Sequence, residues 1–262
     1  MSTTSRDQRR AEARAQREAA ERAAAASEQR RRRLLQLGGV LLAALAVVAI
    51  VVATTGGGET ATTSTPQGGE PVAGRSAIAE QLDGIPQHGI TLGRRTAPIT
   101  VVEFVDLQCP ICAAFSNTEM PKLVEDYVRP GTVRFELRTL AFLGDDSGRL
   151  ARMAQAAAEQ DRLFQFTELV YANQGAENSG YATDDFLRRI GGAVGGLDVA
   201  EAMKARDGAA VDQRLADAGR LASIQGISGT PSFLVGPTGG DLELVDGPQL
   251  RHAIERLAAR HT

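Results

Sequence analysis

The stretch that decides the fold is EFVDLQCPICAAF, residues 103–115. It holds both cysteines of the 262-residue chain, Cys109 and Cys112, three residues apart. The run PITVVEFVDL, residues 98–107, leads into the pair and is typical of a central strand that is buried on both faces. A helix is predicted directly after the first cysteine. The two thiols therefore lie where a buried strand gives way to a helix.

Pro110 sets the register of that helix, because proline is favoured at the first helical position. Cys109 then becomes the N-cap residue and Cys112 the third helical residue. An N-cap side chain accepts hydrogen bonds from the free amides of the first turn and lies at the positive end of the helix dipole, so a thiolate on Cys109 is stabilised. We expect Cys109 to be the attacking nucleophile and Cys112, one turn inside, to resolve the mixed disulfide.

Two other roles for the pair are weaker. A structural zinc site needs four ligands, and His88, His252 and His261 supply no pair at ligand spacing. A purely structural bridge across so short a loop would restrict the unfolded chain little. We therefore predict no metal and no cofactor other than a redox-active Cys109–Cys112 disulfide.

Glu103 interrupts the apolar strand and shares a face with Val101 and Val105. Burial disfavours the charged form of a carboxyl and raises its pKa, which suits a group that exchanges a proton with the resolving cysteine. The alternative is a water-bonded glutamate with no part in catalysis.

The segments that follow complete an α/β pattern. TVRFELRTL, residues 132–140, alternates apolar and charged residues, and with the first strand and one intervening helix it predicts a βαβ unit. A long helical tract begins at Ser147. TPSFLVG and DLELVDG, residues 230–236 and 241–247, predict a hairpin, and residues 248–260 an amphipathic helix.

The amino-terminal part predicts a membrane anchor. Residues 1–33 hold ten arginines and five acidic residues, and residues 34–53 contain a single polar side chain, Gln36. A helix of that length spans roughly 30 Å, the thickness of a bilayer core. A cleaved secretory signal is the alternative, but the leading segment is too long for one.

The positive charge before the apolar run predicts a cytoplasmic tail over residues 1–33, a signal-anchor transmembrane helix over 34–54, a flexible linker over 55–75 and an extracytoplasmic domain over 76–262. This organisation places the protein in a bacterial cell membrane with a single pass. The body of the chain is acidic, because the net charge of −3 includes the basic tail, so we expect no nucleic-acid partner.

Taken together, VVEFVDLQCPICAAF, the helical tract and GISGTPSFLV resemble the DsbA-like thiol–disulfide oxidoreductases of the thioredoxin superfamily, from about Ile90 to the end of the chain. The resemblance implies a thioredoxin-like α/β fold with an inserted all-helical subdomain at about residues 145–226. It also implies that Glu103 is the buried acid, that Pro231 is cis beside the cysteines, and that Thr230 offers backbone hydrogen bonds to an extended substrate.

The resemblance implies a dithiol oxidase that donates its disulfide to reduced secreted proteins and is reoxidised by a quinone-linked membrane partner. One feature departs from strongly oxidising members: Pro110-Ile111 stands where they often carry a histidine between the cysteines. A disulfide reductase or isomerase with the same site is the second hypothesis. A peptide-binding or chaperone module with a structural bridge is the third.

Overall fold

The structure, a computed structural model, describes residues 71–260. The predicted cytoplasmic tail, the predicted transmembrane helix and nearly all of the predicted linker lie outside these residues. Within the described part, no helix combines the length and apolar character needed to cross a membrane.

Six strands lie within residues 71–260 and form one sheet. They are β1 (Gln87–His88), β2 (Thr91–Leu92), β3 (Ile99–Asp106), β4 (Val133–Leu140), β5 (Ser232–Pro237) and β6 (Glu243–Val245). Their order across the sheet is β1-β2-β4-β3-β5-β6. Only β3 and β4 pair in parallel, and the other pairs are antiparallel.

Nine α-helices lie in the same range. They are α1 (Arg75–Leu82), α2 (Pro110–Thr118), α3 (Met120–Leu123), α4 (Asp145–Ala158), α5 (Leu163–Ala172), α6 (Asp184–Ala193), α7 (Val199–Ala205), α8 (Ala209–Ile224) and α9 (Gly247–Ala258). The helices α4 to α8 follow one another between β4 and β5, so they form a helical insertion between two strands of the sheet. The predicted α/β fold with a helical insertion is confirmed.

Strand β3 lies at the centre and every one of its residues is buried, as its apolar sequence predicts. Side chains alternate between the faces of a strand. Val101 and Val105 join the main core, whereas Val102 and Phe104 pack in a second cluster with Ala218 of α8. Glu103 lies on the same face of β3 as Val101 and Val105, and it therefore faces the main core.

One local expectation is wrong. One helix is predicted between β3 and β4, but α2, α3 and a π-helical turn (Val124–Val128) lie there. Pro121 has no N–H to donate to the preceding turn, which breaks the hydrogen-bond ladder.

Candidate redox site

Cys109 and Cys112 lie at the amino-terminal end of α2 in the predicted register. Cys109 is the N-cap residue with an extended backbone (φ −67°, ψ 119°), and Pro110 follows at the first helical position. The amide of Cys112 donates to Cys109 Sγ at 3.4 Å. Both cysteines are free thiols in this structure. The first-turn amides of α2 have no partner within the helix, and one of them donates a hydrogen bond to the sulfur of Cys109.

The two sulfurs differ in their surroundings. Cys109 is 6% exposed and Cys112 only 1%, while Ile111 between them is 65% exposed. Burial raises the pKa of the Cys112 thiol, and hydrogen bonds from the Thr230 side chain and the Asp106 backbone offset part of that rise. A thiolate on Cys112 is consequently costly, and this sulfur takes up a proton soon after it is released.

The loop before β5 closes the site from the other side. The peptide bond between Thr230 and Pro231 is cis, as the sequence resemblance implies. The Cys109 thiol donates to the Thr230 carbonyl oxygen at 3.4 Å. Thr230 and Pro231 are both half-buried, so this backbone lies beside the sulfur and remains partly open to solvent.

Glu103 is buried, as predicted, and its Oε2 has no hydrogen-bond partner. Burial raises the pKa of Glu103 well above its ordinary value, and the charge of Glu168 raises it further. The charge of Glu103 in turn acts on the Cys112 thiol. A proton held by Glu103 is therefore placed to serve Cys112, although its role in catalysis stays a prediction.

Glu168 is a second buried acid that the sequence reasoning missed. It lies on α5 and accepts a hydrogen bond from Ser116 Oγ of α2 at 2.5 Å. Burial raises the pKa of Glu168 to about 7, and the bond from Ser116 limits the rise. The available signal was its position with Phe164 and Tyr171 on the apolar face of α5, where a carboxyl is out of place.

Tyr171, one turn after Glu168, was missed as well. Its hydroxyl donates to the Asp106 carbonyl oxygen at 3.3 Å. Burial raises the pKa of Tyr171 well above its ordinary value, and the nearby charges of Cys112, Glu103 and Glu168 add to the effect. The phenol therefore stays neutral and is buried near Cys112 and the two acids.

Asp106 ends β3 and fixes the loop that carries Cys109. Its Oδ1 accepts from the Gln108 amide at 2.9 Å and from Ser147 Oγ at 2.5 Å. Its Oδ2 accepts from the amides of Phe142 and Leu143 at 3.1 and 3.2 Å. Four donors thus compensate the loss of water around this buried carboxylate.

The helical insertion reaches the same loop through side-chain amides. Gln174 Nε2 donates to the Leu107 carbonyl at 2.9 Å and to the Cys109 carbonyl at 3.4 Å. The backbone N–H of Asn178 donates to the side-chain oxygen Oε1 of Gln108 at 2.7 Å. These bonds join residues about seventy positions apart, so the insertion holds the redox loop in place.

The arrangement suits thiol–disulfide exchange. One sulfur lies at a helix N-terminus beside a half-buried backbone segment, and the other is enclosed with a carboxyl able to hold its proton. Within residues 71–260, no group of three or more histidine, cysteine or acidic side chains is placed to hold a metal ion.

Comparison with known proteins points to the same chemistry. A family model described as Thioredoxin matches residues 86–254. The chain is 28% identical over 169 residues to the probable disulfide bond formation protein D of Bacillus cereus, covering 63% of this chain and 77% of that protein.

Two crystal structures share the fold. A thioredoxin-like oxidoreductase from Silicibacter pomeroyi DSS-3 is 30% identical, with a TM-score of 0.52 over 70% of this chain and 98% of that one. The oxidised form of BdbD from Bacillus subtilis gives a TM-score of 0.58 at 22% identity, over 67% of this chain and 97% of that one. The second likeness supports the fold alone.

Proposed function

This chain belongs to the thioredoxin family, and we propose that its Cys109–Cys112 pair donates a disulfide to reduced proteins outside the cytoplasm. It is a protein-disulfide oxidoreductase, in keeping with its similarity to the disulfide bond formation protein of Bacillus cereus. The direction of electron flow, the substrates and the cellular location are our proposal.

One observation supports the chemistry most strongly. Cys109 Sγ lies between the amide of Cys112 and the carbonyl of Thr230, at 3.4 Å from each, while Cys112 is enclosed behind it. Cys109 is the more exposed of the two buried cysteines, so we infer that a substrate thiolate attacks Cys109 and that Cys112 is the sulfur that leaves. Exchange reactions depend on which sulfur is attacked and on how stable the leaving thiolate is.

The first step opens the bridge. A substrate thiolate attacks Cys109 Sγ, the bond between Cys109 and Cys112 breaks, and its electron pair leaves with Cys112 Sγ. Because the buried environment raises the pKa of Cys112, that thiolate takes up a proton. A mixed disulfide between the substrate and Cys109 results.

The second step releases the product. A second substrate thiolate attacks the substrate sulfur of the mixed disulfide, and Cys109 leaves as a thiolate that accepts the Cys112 amide hydrogen bond. The substrate has then lost two electrons and gained a disulfide, and the cysteine pair has gained both electrons. Thr230, beside Cys109, offers its backbone to the extended substrate during both steps.

The oxidising direction is supported by what stabilises the reduced pair. A strong oxidant is one whose reduced form is held favourably, and in the reduced pair Cys109 Sγ accepts the Cys112 amide hydrogen bond at the start of α2. The name of the Bacillus cereus relative, a probable disulfide bond formation protein, agrees with this direction.

The proposal extends to the cell. The apolar segment 34–54 anchors the chain in a bacterial membrane, with the redox domain on the extracytoplasmic side, where disulfides persist. A quinone-linked membrane protein returns the pair to its oxidised form. Protease added to intact protoplasts should then digest the redox domain, and full protection of that domain would contradict this placement.

The experiment for the direction uses the full-length protein. The oxidised chain is mixed with a reduced dithiol peptide, and its reduction potential is measured against glutathione. We expect stoichiometric oxidation of the peptide and a potential well above the roughly −270 mV of thioredoxin. A potential near that of thioredoxin, without peptide oxidation, would favour the reductase.

Two single-cysteine variants provide matched controls. Cys109→Ala should abolish peptide oxidation. Cys112→Ala, incubated with the disulfide form of the peptide, should accumulate a mixed disulfide, because the Cys109 thiolate displaces one peptide thiolate and no second protein thiol completes the exchange. Peptide binding by Cys109→Ala, together with no peptide oxidation by wild type, would support a peptide-binding module in place of the enzyme.

A further inference from the structure

Two carboxyl groups from distant parts of the chain are buried beneath the redox pair. Glu103 comes from the central strand, and Glu168 comes from α5 of the helical insertion, which packs against α2. Ser116 connects Glu168 to the helix that carries the cysteines, because it is one helical turn beyond Cys112 and donates to Glu168 Oε2 at 2.5 Å. Tyr171, on the helix that carries Glu168, bonds to the end of the strand that carries Glu103.

We propose that Glu103 and Glu168 share one negative charge between them, and that Glu168 thereby sets how readily Glu103 exchanges a proton with the Cys112 thiol. Glu168 is a positioning residue in this scheme, since it acts through Glu103. The shared charge does not depend on the proposed function, whereas the transfer of the proton to Cys112 rests on it.

The hydrogen bonds assign the charge within the pair. Ser116 donates to Glu168, and a donated hydrogen bond favours the carboxylate form. Glu103 Oε2 receives no such bond, so its carboxyl is the better place for the proton. Two buried carboxylates near one another cannot both be ionised without a large cost, and one of them keeps its proton to a higher pH.

Among residues 71–260, no cation acts on either carboxyl: the pKa of Glu103 is raised by burial and by Glu168, and that of Glu168 is raised by burial and lowered by the bond from Ser116. In the described part of the chain, the charged side chains of α1, α4 and α6, which pack on α5, are exposed or half-buried with one exception. The exception is Asp146 of α4, which accepts from the Gly180 amide.

The proton transfer follows from this arrangement. When the disulfide opens, the proton of the Glu103 carboxyl passes to the Cys112 thiolate, and Glu103 then takes up a proton from solvent because two buried carboxylates are costly. In the reverse reaction Glu103 first releases its proton to solvent and then accepts the proton of the Cys112 thiol as the bridge forms. The negative charge on Glu168 makes Glu103 the stronger base, so it favours the deprotonation of Cys112 that reoxidation requires.

The test follows the protonated carboxyl itself. In the reduced full-length protein, the infrared C=O band of a buried carboxylic acid is recorded against pH. Wild type should keep one such band above neutral pH. In Glu168→Gln, which preserves the side-chain volume and an acceptor for Ser116, the pH midpoint of the remaining band should fall by about one unit, a tenfold change in proton affinity.

A second variant guards against an effect of folding. Because Glu103 keeps its proton while Glu168 titrates, Glu103→Gln should leave the midpoint of Glu168 near its wild-type value. Ser116→Ala should raise the midpoint of Glu168, because it removes the donor to the carboxylate. An unchanged midpoint of Glu103 in Glu168→Gln, or a large shift of the Glu168 midpoint in Glu103→Gln, would overturn this assignment of the charge.

The dithiol assay separates this inference from the proposed function. A wild-type chain that oxidises no peptide, while the Glu103 midpoint falls in Glu168→Gln, contradicts the proposed function and supports the pair. An active enzyme whose Glu103 midpoint does not respond to Glu168→Gln contradicts the pair alone.

Discussion

Glu103 and Asp106 are three residues apart on the same strand, both are buried, and their surroundings are opposite. Asp106 accepts four hydrogen bonds, whereas Glu103 has an oxygen without a partner and a second acid as its neighbour. The same burial therefore accompanies a carboxylate held by four donors at Asp106 and a carboxyl with a raised pKa at Glu103. The number of donors decides which, because a carboxylate loses its hydration at both places.

Each region has its own structural source. The donors to Asp106 come from Gln108 and from residues 142–147, where the chain enters the helical insertion. The acid that acts on Glu103, Glu168, comes from α5, deeper in the insertion. The insertion thus fixes the redox loop with its first residues and supplies the second acid with its second helix.

The largest effect on stability is expected at Asp106. Asp106→Ala leaves three amides and a hydroxyl without their buried acceptor, and we expect a loss of about 4 kcal/mol in the free energy of unfolding. Urea denaturation measures this value. Asp106→Asn should lose less, since it keeps one acceptor oxygen. A loss under about 1 kcal/mol in Asp106→Ala would remove the contrast with Glu103.

Glu168 should make the free energy of unfolding depend on pH. The pKa of Glu168 rises from 4.5 to about 7 on folding, so the native state binds its proton more tightly than the unfolded state. Its contribution to stability is then lost as pH rises from about 4.5 to about 7. Glu168→Gln should remove this loss and be more stable than wild type by up to about 3 kcal/mol at pH near 8.

Thermal unfolding across pH measures that difference. Near pH 4, where Glu168 is protonated in both states, wild type and Glu168→Gln should be about equally stable. An identical gap between the two proteins at every pH would show that the carboxyl does not titrate in this range.

Glu103→Gln should affect chemistry more than stability. Without a proton acceptor beside Cys112, reoxidation of the reduced pair by oxidised glutathione should slow by about a hundredfold near neutral pH. Stopped-flow kinetics on the full-length protein measures the rate. Alkylation of Cys109 serves as the control and should be unchanged. A normal reoxidation rate would assign Glu103 a structural part only.

The smallest effect belongs to an exposed carboxylate. Asp126 pairs with Arg251 at 2.8 Å and is about half-exposed. Water solvates both charges, so Asp126→Asn should change the free energy of unfolding by about 0.5 kcal/mol or less and leave reoxidation unaltered. A loss as large as that of Asp106→Ala would mean that burial is not what separates the three carboxyls.

The sequence allowed prediction of the features that depend on local order. The apolar run located β3, Pro110 set Cys109 at the N-cap, and strand alternation put Glu103 on a buried face. The apolar face of α9, with Leu250, was predicted in the same way and is buried. Each of these follows from residues within a few positions of one another.

The contacts made by Glu168 and Tyr171 could not be predicted from local sequence. Ser116 and Glu168 meet across 52 positions, and Tyr171 reaches Asp106 across 65. Helical periodicity assigns Glu168 to an apolar face of α5, but it does not say which strand or helix that face covers. The partner depends on how the insertion folds back over α2, which is a property of the tertiary packing.

The asymmetry between the two cysteines is tested most directly by alkylation of the reduced full-length protein with iodoacetamide at several pH values, with each cysteine quantified by peptide mass spectrometry. The account predicts rapid modification of Cys109 near neutral pH and little modification of Cys112, because burial raises the pKa of the Cys112 thiol and covers its sulfur. Equal rates at the two sulfurs, or faster modification of Cys112, would contradict it.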